Sequence, residues 1–137
     1  MTGEREHAAV RARVSRDDYR VLPFVDDFGA ALGAADIVVA RAGGSVWEVA
    51  AAGRPAVLVP YPYATGDHQR ANAQYFVDAG GALVVDDADA QAVVPRLVDE
   101  LLGDPRRLRA MGEAMRAAAK PDAAERIADE LVELALR

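Results

Sequence analysis

The sequence predicts an α/β fold, a partial Rossmann-like parallel sheet of about four strands followed by carboxy-terminal helices. Three observations predict it. Short apolar runs alternate with longer helical stretches, which is the pattern of a βαβ series with right-handed crossovers. Three of the four runs are nearly continuous in leucine and β-branched residues, as in strands buried on both faces. The last third of the chain then shows helical patterns with no strand between them.

The four strand runs fall at residues 19–24, 36–40, 55–60 and 82–85. Helices are expected between them at 27–34, 45–52 and 67–79, with Gly53 and Gly80 where helix C-caps belong. Beyond Asp86 a helix is expected at 91–102, with Pro95 tolerable only in a first turn. Gly103-Asp104-Pro105 reads as a stop, an N-cap and a proline at the first helical position. Helices at 106–119 and 123–136 follow, separated by Lys120-Pro121-Asp122. In the last one Ile127, Leu131, Leu134 and Val132 or Ala135 make one apolar stripe, and three helices in a row with no strand suggest a layer packed on the sheet or on something outside this chain.

The 137 residues favour one domain, with residues 104–137 as its terminal helices, and are enough to bury a core without staples. The absence of cysteine excludes disulfides and thiolate metal sites and fits a reducing compartment. A net charge of −6 argues against a nucleic acid or an acidic lipid surface as the main partner. No apolar run approaches the roughly 18 residues of a spanning helix, and residues 1–10 have no signal-peptide core. A soluble, cytoplasmic protein is expected. The only histidines are His7 and His68, the acidic residues lack metal-loop spacing, and neither a P-loop nor a nucleophile elbow is present.

Chemistry concentrates at strand ends. Ala40-Arg41-Ala42-Gly43-Gly44-Ser45-Val46-Trp47-Glu48 runs from a buried strand through two glycines into a helix. Such a turn lets a ligand approach the backbone, and a helix start offers free N–H groups to an anion. A tight turn with no ligand is the competing reading. Ser45 and Glu48 also fit a capping box, Glu48 bonding back to the Ser45 N–H; alternatively its carboxylate accepts from two neighbouring ribose hydroxyls. The second stretch runs from Val59 to Asn72. Its loop carries two prolines, a glycine and two tyrosines, and His68, Gln69 and Asn72 gather within about one helical turn. Amides there suit sugar hydroxyls; the alternative is Asp67 as an N-cap followed by solvated polar residues, the simpler reading for His68 alone. The third strand end, Pro23-Phe24-Val25-Asp26-Asp27, carries no catalytic pattern, though backbone groups at Val25 could read a flat base.

These segments, in this order, resemble the MurG-type N-acetylglucosaminyltransferases of glycosyltransferase family 28. The match lies in Pro23-Phe24-Val25-Asp26-Asp27-Phe28, Ala35-Asp36, Arg41-Ala42-Gly43-Gly44-Ser45, the stretch from Glu48 to Ala56, Val59-Pro60-Tyr61-Pro62, Asp67-His68-Gln69 with Asn72-Ala73, and the tail from Pro121 to Ala128. It covers residues 18–136. The block from Gly-Gly-Ser to His-Gln is its most specific part and is shared more loosely with other GT-B enzymes. The resemblance implies that Val25 reads uracil through its backbone. It makes the Gly44-Ser45-Val46-Trp47-Glu48 segment the donor-site helix start, with Glu48 on the ribose. Gln69 with His68 then meets the N-acetylglucosamine hydroxyls, and Asn72 lies close by.

The departures matter. The Gly43-to-Glu48 turn is one residue shorter than in many relatives. The family's amino-terminal domain, which supplies the acceptor site and general base, has no counterpart in these residues, nor does the strand and Gly-Gly-Ser loop that opens its second domain. Thr2-Gly3-Glu4-Arg5 resembles the end of the next strand and the following helix, so the chain reads as a fragment of one GT-B nucleotide-sugar-binding domain. The resemblance implies an inverting hexosyltransferase that moves N-acetylglucosamine from its UDP donor to a lipid-linked peptidoglycan precursor. It implies no cofactor and no tightly bound metal, and a full-length parent peripheral at the cytoplasmic face of the membrane. This chain alone is expected to be inactive. A donor-binding subunit of a two-chain enzyme and a non-catalytic nucleotide-binding scaffold are the alternatives. In the family's strand order two central strands would be wanting, so either the 19–24 strand moves beside the 36–40 strand or two chains associate through an open sheet edge.

Overall fold

The computed structural model describes residues 1–136 and separates into two compact units, Met1–Ala34 and Ala35–Arg137. In the first unit, helix α1 (Gly3–Arg11) and helix α2 (Phe28–Ala34) are joined by a segment without regular structure. The strand expected at 19–24 does not form. Its carbonyls instead accept from the start of the chain, Thr2 N–H donating to Leu22 O and Gly3 N–H to Pro23 O, both at 3.0 Å. A strand needs a ladder on a neighbour, and this segment has none among the described residues beyond those two bonds. Pro23 further removes a donor. The ring of His7 adds a contact to Val21 O at 3.3 Å, and Tyr19, Leu22 and Phe24 are exposed.

The second unit is a parallel sheet with helices around it. Strands β1 (Val38–Ala40), β2 (Ala56–Leu58) and β3 (Ala82–Val84) lie in the order β1-β2-β3, with Val39 opposite Val57 and Val57 opposite Leu83. The sheet therefore has three strands rather than about four among the described residues. Helix α3 (Val46–Ala51) links β1 to β2, and helix α4 (His68–Asp78) links β2 to β3 after a one-turn 3-10 helix at Thr65–Asp67. β2 is buried along its whole length, as the middle strand of a parallel sheet with cover on both faces must be. Val57, Val59 and Val85 form one core with Leu101 and Met111 of the later helices, and Phe76 of α4 is wholly buried.

Helices α5 (Ala90–Leu102), α6 (Pro105–Ala118) and α7 (Ala123–Ala135) complete the chain. α5 packs on β2 and α6, and α6 packs on α3. Pro95 stands in the second turn of α5, not the first. The site is exposed, so water can serve the Gln91 carbonyl that a proline nitrogen leaves unpaired. At α6 the Asp104 side chain caps as expected, accepting from Arg107 N–H at 3.0 Å with Pro105 in the first turn. Gly53 and Gly80 take positive φ, 64° and 82°, just past α3 and α4, a conformation that costs an L side chain its Cβ–carbonyl clearance. The apolar stripe of α7 is bare: Ile127, Leu131, Val132 and Leu134 are all more than half exposed and no α7 residue is buried.

Candidate functional site

The loops leaving the carboxyl ends of β1 and β2 come together in this unit. The first, residues 41–45, leaves Ala40, passes through Ala42, which is fully buried, and enters α3. Val46 N–H donates to Gly43 O and Trp47 N–H to Gly44 O, both at 3.2 Å, so the loop winds tightly into the helix. The amides of Gly43, Gly44 and Ser45 have no acceptor among the described residues. The capping box does not form. Ser45 is already helical, at φ −63° and ψ −11°, its side chain makes no cap bond, and its carbonyl accepts from the Glu48 and Val49 amides. A residue wound into the helix cannot reach back to its third amide in the extended conformation a cap needs. Glu48 is consequently exposed on the first turn of α3, with no hydrogen bond or ion pair from its carboxylate to any described residue.

The second loop begins at Pro60 and is held by α4. Tyr61 N–H donates to Gln69 Oε1 at 2.9 Å, and Asn72 Nδ2 donates to Ala42 O at 3.1 Å. A methyl placed on Gly43 would stand 3.9 Å from Gln69 Nε2. One helix thus touches both loops from side chains one turn apart. Asp67 precedes α4 in the left-handed region, at φ 54°, and makes no cap bond, so the N-cap reading of Asp67 fails. Asp is among the residues that tolerate this region best. His68 is exposed, and its Nδ1 lies 2.7 Å from Thr65 O. A carbonyl only accepts, so Nδ1 carries the proton and, in the neutral ring, Nε2 is left as an acceptor.

Of the sequence-derived candidates, the structure brings Gly43, Gly44, Ser45, Gln69 and Asn72 into one neighbourhood, with Glu48 on the helix that leaves it and His68 beside Gln69. Val46 and Trp47 serve packing. Val46 is fully buried, and Trp47 sits 5.3 Å from the Tyr75 ring and 5.0 Å from the Phe76 ring, with Lys120 Nζ 5.9 Å from its centroid. Val25 belongs to the first unit, half-buried in the stretch without regular structure.

Sequence reasoning missed Arg41. Its Nη1 donates to Val59 O at 3.2 Å and Pro60 O at 3.3 Å, pairs with Asp87 Oδ1 at 2.6 Å, and its guanidinium lies 5.6 Å from the Tyr61 ring centre. It clasps the ends of β1 and β2 to the segment after β3. The available signal was an arginine set directly after a buried strand and before two glycines. Nearby, Arg70 pairs with Asp86 at 2.7 Å and lies 3.9 Å from Asp67. The hydrogen bond to Asp86, and then its charge, hold this guanidinium above its ordinary value; Asp67 adds to that and desolvation opposes it. The pair is solvent-exposed and screened. A cavity of about 400 Å³ opens here, between Pro60, Tyr61, Tyr63, Arg70, Asp86 and Asp87. A larger one, about 540 Å³, lies among Asp36, Gly53 and Pro55 before β1 and β2 and Leu108 and Gly112 of α6, at the opposite end of the strands. In open parallel sheets ligands bind beyond the carboxyl ends, so the larger volume is not the candidate site.

The fold is a parallel α/β domain, and its candidate site lies at the carboxyl ends of β1 and β2. Residues 1–127 match the glycosyltransferase family 28 C-terminal domain, and the chain belongs to that family. Two curated relatives share one name, UDP-N-acetylglucosamine–N-acetylmuramyl-(pentapeptide) pyrophosphoryl-undecaprenol N-acetylglucosamine transferase. The one from Chlorobium limicola is 42% identical over 138 residues, covering 98% of this chain and 38% of the relative. The one from Halorhodospira halophila is 50% identical over 126 residues, covering 90% and 35%. The crystal structure of MurG from Acinetobacter baumannii matches with a TM-score of 0.84 at 32% identity, over 96% of this chain and 39% of that one. The spinosyn forosaminyltransferase SpnP, at 20% identity and a TM-score of 0.51, shares the fold. The chain therefore spans under two-fifths of the length of these relatives. Among the described residues no helix is long and apolar enough to cross a membrane.

Proposed function

We propose that this chain is the donor-binding part of a glycosyltransferase that carries N-acetylglucosamine from UDP to a lipid-linked peptidoglycan precursor. The observation that carries the reading is the pairing of donors and acceptors at the two strand ends. Three loop amides and the Gln69 amino group are available to donate, and the Glu48 carboxylate one turn on is available to accept. A nucleoside diphosphate sugar needs both. Its diphosphate takes N–H donors, its ribose offers two neighbouring hydroxyls to a carboxylate, and its sugar oxygens take the Gln69 amide protons.

In transfer, the acceptor hydroxyl attacks the anomeric carbon, the bond to the diphosphate oxygen breaks, and UDP leaves with the electron pair. Negative charge grows on the diphosphate, where oriented amides stabilise it most. By the family resemblance, the base that takes the acceptor's proton comes from an amino-terminal domain. The backbone of Val25 as uracil reader, and His68 beside Gln69 on the sugar, complete the reading on the strength of the family resemblance. So do the lipid-linked acceptor and a parent enzyme peripheral at the cytoplasmic membrane face.

Calorimetric titration tests donor choice. UDP and UDP-N-acetylglucosamine should bind this chain weakly and in preference to ADP and GDP. Equal affinity across the four would overturn the reading.

A further inference from the structure

The two amides of α4 have different jobs, and hydrogen-bond chemistry separates them. A carbonyl only accepts, so the group Asn72 turns to Ala42 O must be its NH2. A backbone N–H only donates, so the group Gln69 turns to Tyr61 N–H must be its oxygen. Both side-chain orientations are thereby fixed without ambiguity. Gln69 keeps its whole amino group free on the side of Gly43, while Asn72 has its amino group committed to the protein.

The partner of Asn72 is also the place where the glycine loop most needs one. Residues 43 and 44 are glycines, the least constrained of residues, and 43–45 make no bond through their amides. Ala42 is fully buried, so its carbonyl has no recourse to bulk water. Asn72 is the side chain that reaches this loop's backbone from another element; the remaining bonds of 43–45 are the turn into α3 itself.

We propose that Asn72 is a positioning residue for donor binding. Its amide pins the Ala42 carbonyl, and so holds the amides of 43–45 in the arrangement that meets the ligand, without touching the ligand itself. The proposal rests on the donor-site reading. It divides the α4 pair into a contact, Gln69, and the support behind the contact, Asn72. Donors fixed before binding cost no ordering when the ligand arrives.

Two variants test it on the whole chain. Asn72→Asp keeps the shape but faces an acceptor with an acceptor; Asn72→Ala removes the bond outright. In both, the ligand-free NMR spectrum should show the amides of 43–45 shifted or broadened while those of β2 and β3 stay in place. UDP should bind about tenfold more weakly, the scale of a buried carbonyl left without its hydrogen-bond partner. Weaker binding with an unchanged ligand-free loop would mean that Asn72 meets the ligand directly, and would overturn the proposal. So would an altered loop with full affinity. Loss of the folded spectrum in both variants would make Asn72 a residue of the fold at large, which also overturns it. If the parent chain binds no UDP at all, the donor-site reading falls, and the ligand-free spectra still decide whether Asn72 holds the loop.

Discussion

Glu48 is the residue whose two sequence readings the fold separates. With Ser45 already helical, the capping box is absent and the carboxylate has no partner among the described residues. Glu48→Gln should therefore leave stability within about 1 kcal/mol, the range of a helix-dipole contribution. It should weaken UDP binding by about 1–3 kcal/mol, the scale of hydrogen bonds to a charged group. Paired melting and titration experiments check this, and a large fall in melting temperature with unchanged binding would restore the cap. Gly112 is a different kind of residue, small because α6 meets the α3–β2 turn. A Cβ there would stand 2.6 Å from Gly53 O, a backbone atom that cannot swing aside. Gly112→Ala should cost about 1–3 kcal/mol from overpacking, even though alanine favours the helix. Denaturant unfolding would show it as a lower midpoint; an unchanged midpoint would mean that the contact relaxes at little cost. Residue types at strand ends were legible because glycine pairs, amides and carboxylates mark themselves. What they bond to was not: the pins from Asn72 to Ala42 and from Arg41 to Val59 span 30 and 18 residues, and pairings that distant leave no local pattern.

At the scale of elements, the start of α6 followed local chemistry, while the cap signals at Ser45 and Asp67 did not form. Asp104 caps α6 through Arg107 N–H with Pro105 behind it, as the three-residue signal says. Asp104→Ala should lower stability by about 1 kcal/mol, read as a small shift of the thermal midpoint with the helical content kept; no shift would show the bond to be idle. The 19–24 segment failed for the complementary reason. Its β-rich composition is a preference for a pleated, half-buried surface, and the surface must come from neighbours. Here Leu22 and Phe24 stay exposed, and the carbonyls of Leu22 and Pro23 pair with Thr2 and Gly3 instead. α7 shows the same limit from the other side: its stripe was legible, but nothing in its own sequence says what covers it.

At the scale of the molecule, the sheet ends at β1. Val38 N–H and Ala40 O are used toward the β2 side, so by the alternation of a parallel ladder the N–H and C=O of Val39, a residue 48% exposed, face away from β2 and have no partner among the described residues. An unpaired edge of this kind invites another strand. Sedimentation over rising concentration should show reversible self-association of the chain, and a single monomeric species throughout would contradict that. Fold class and the order of the parallel units were legible because apolar runs and helix stops repeat along this chain from Asp36 to Leu102.

The central claim is that the two loops at the ends of β1 and β2 form one donor site. Amide chemical-shift mapping of the labelled chain during titration with UDP, UDP-N-acetylglucosamine and ADP tests it most directly. UDP and its sugar conjugate should move Gly43, Gly44, Ser45 and Glu48 together with the Gln69 side-chain amide, and the sugar conjugate should move Gln69 further than UDP does. ADP at the same concentration should cause smaller changes. Equal shifts with ADP and UDP, or shifts gathered in the cavity by Gly53 and Gly112 with these loops silent, would contradict it.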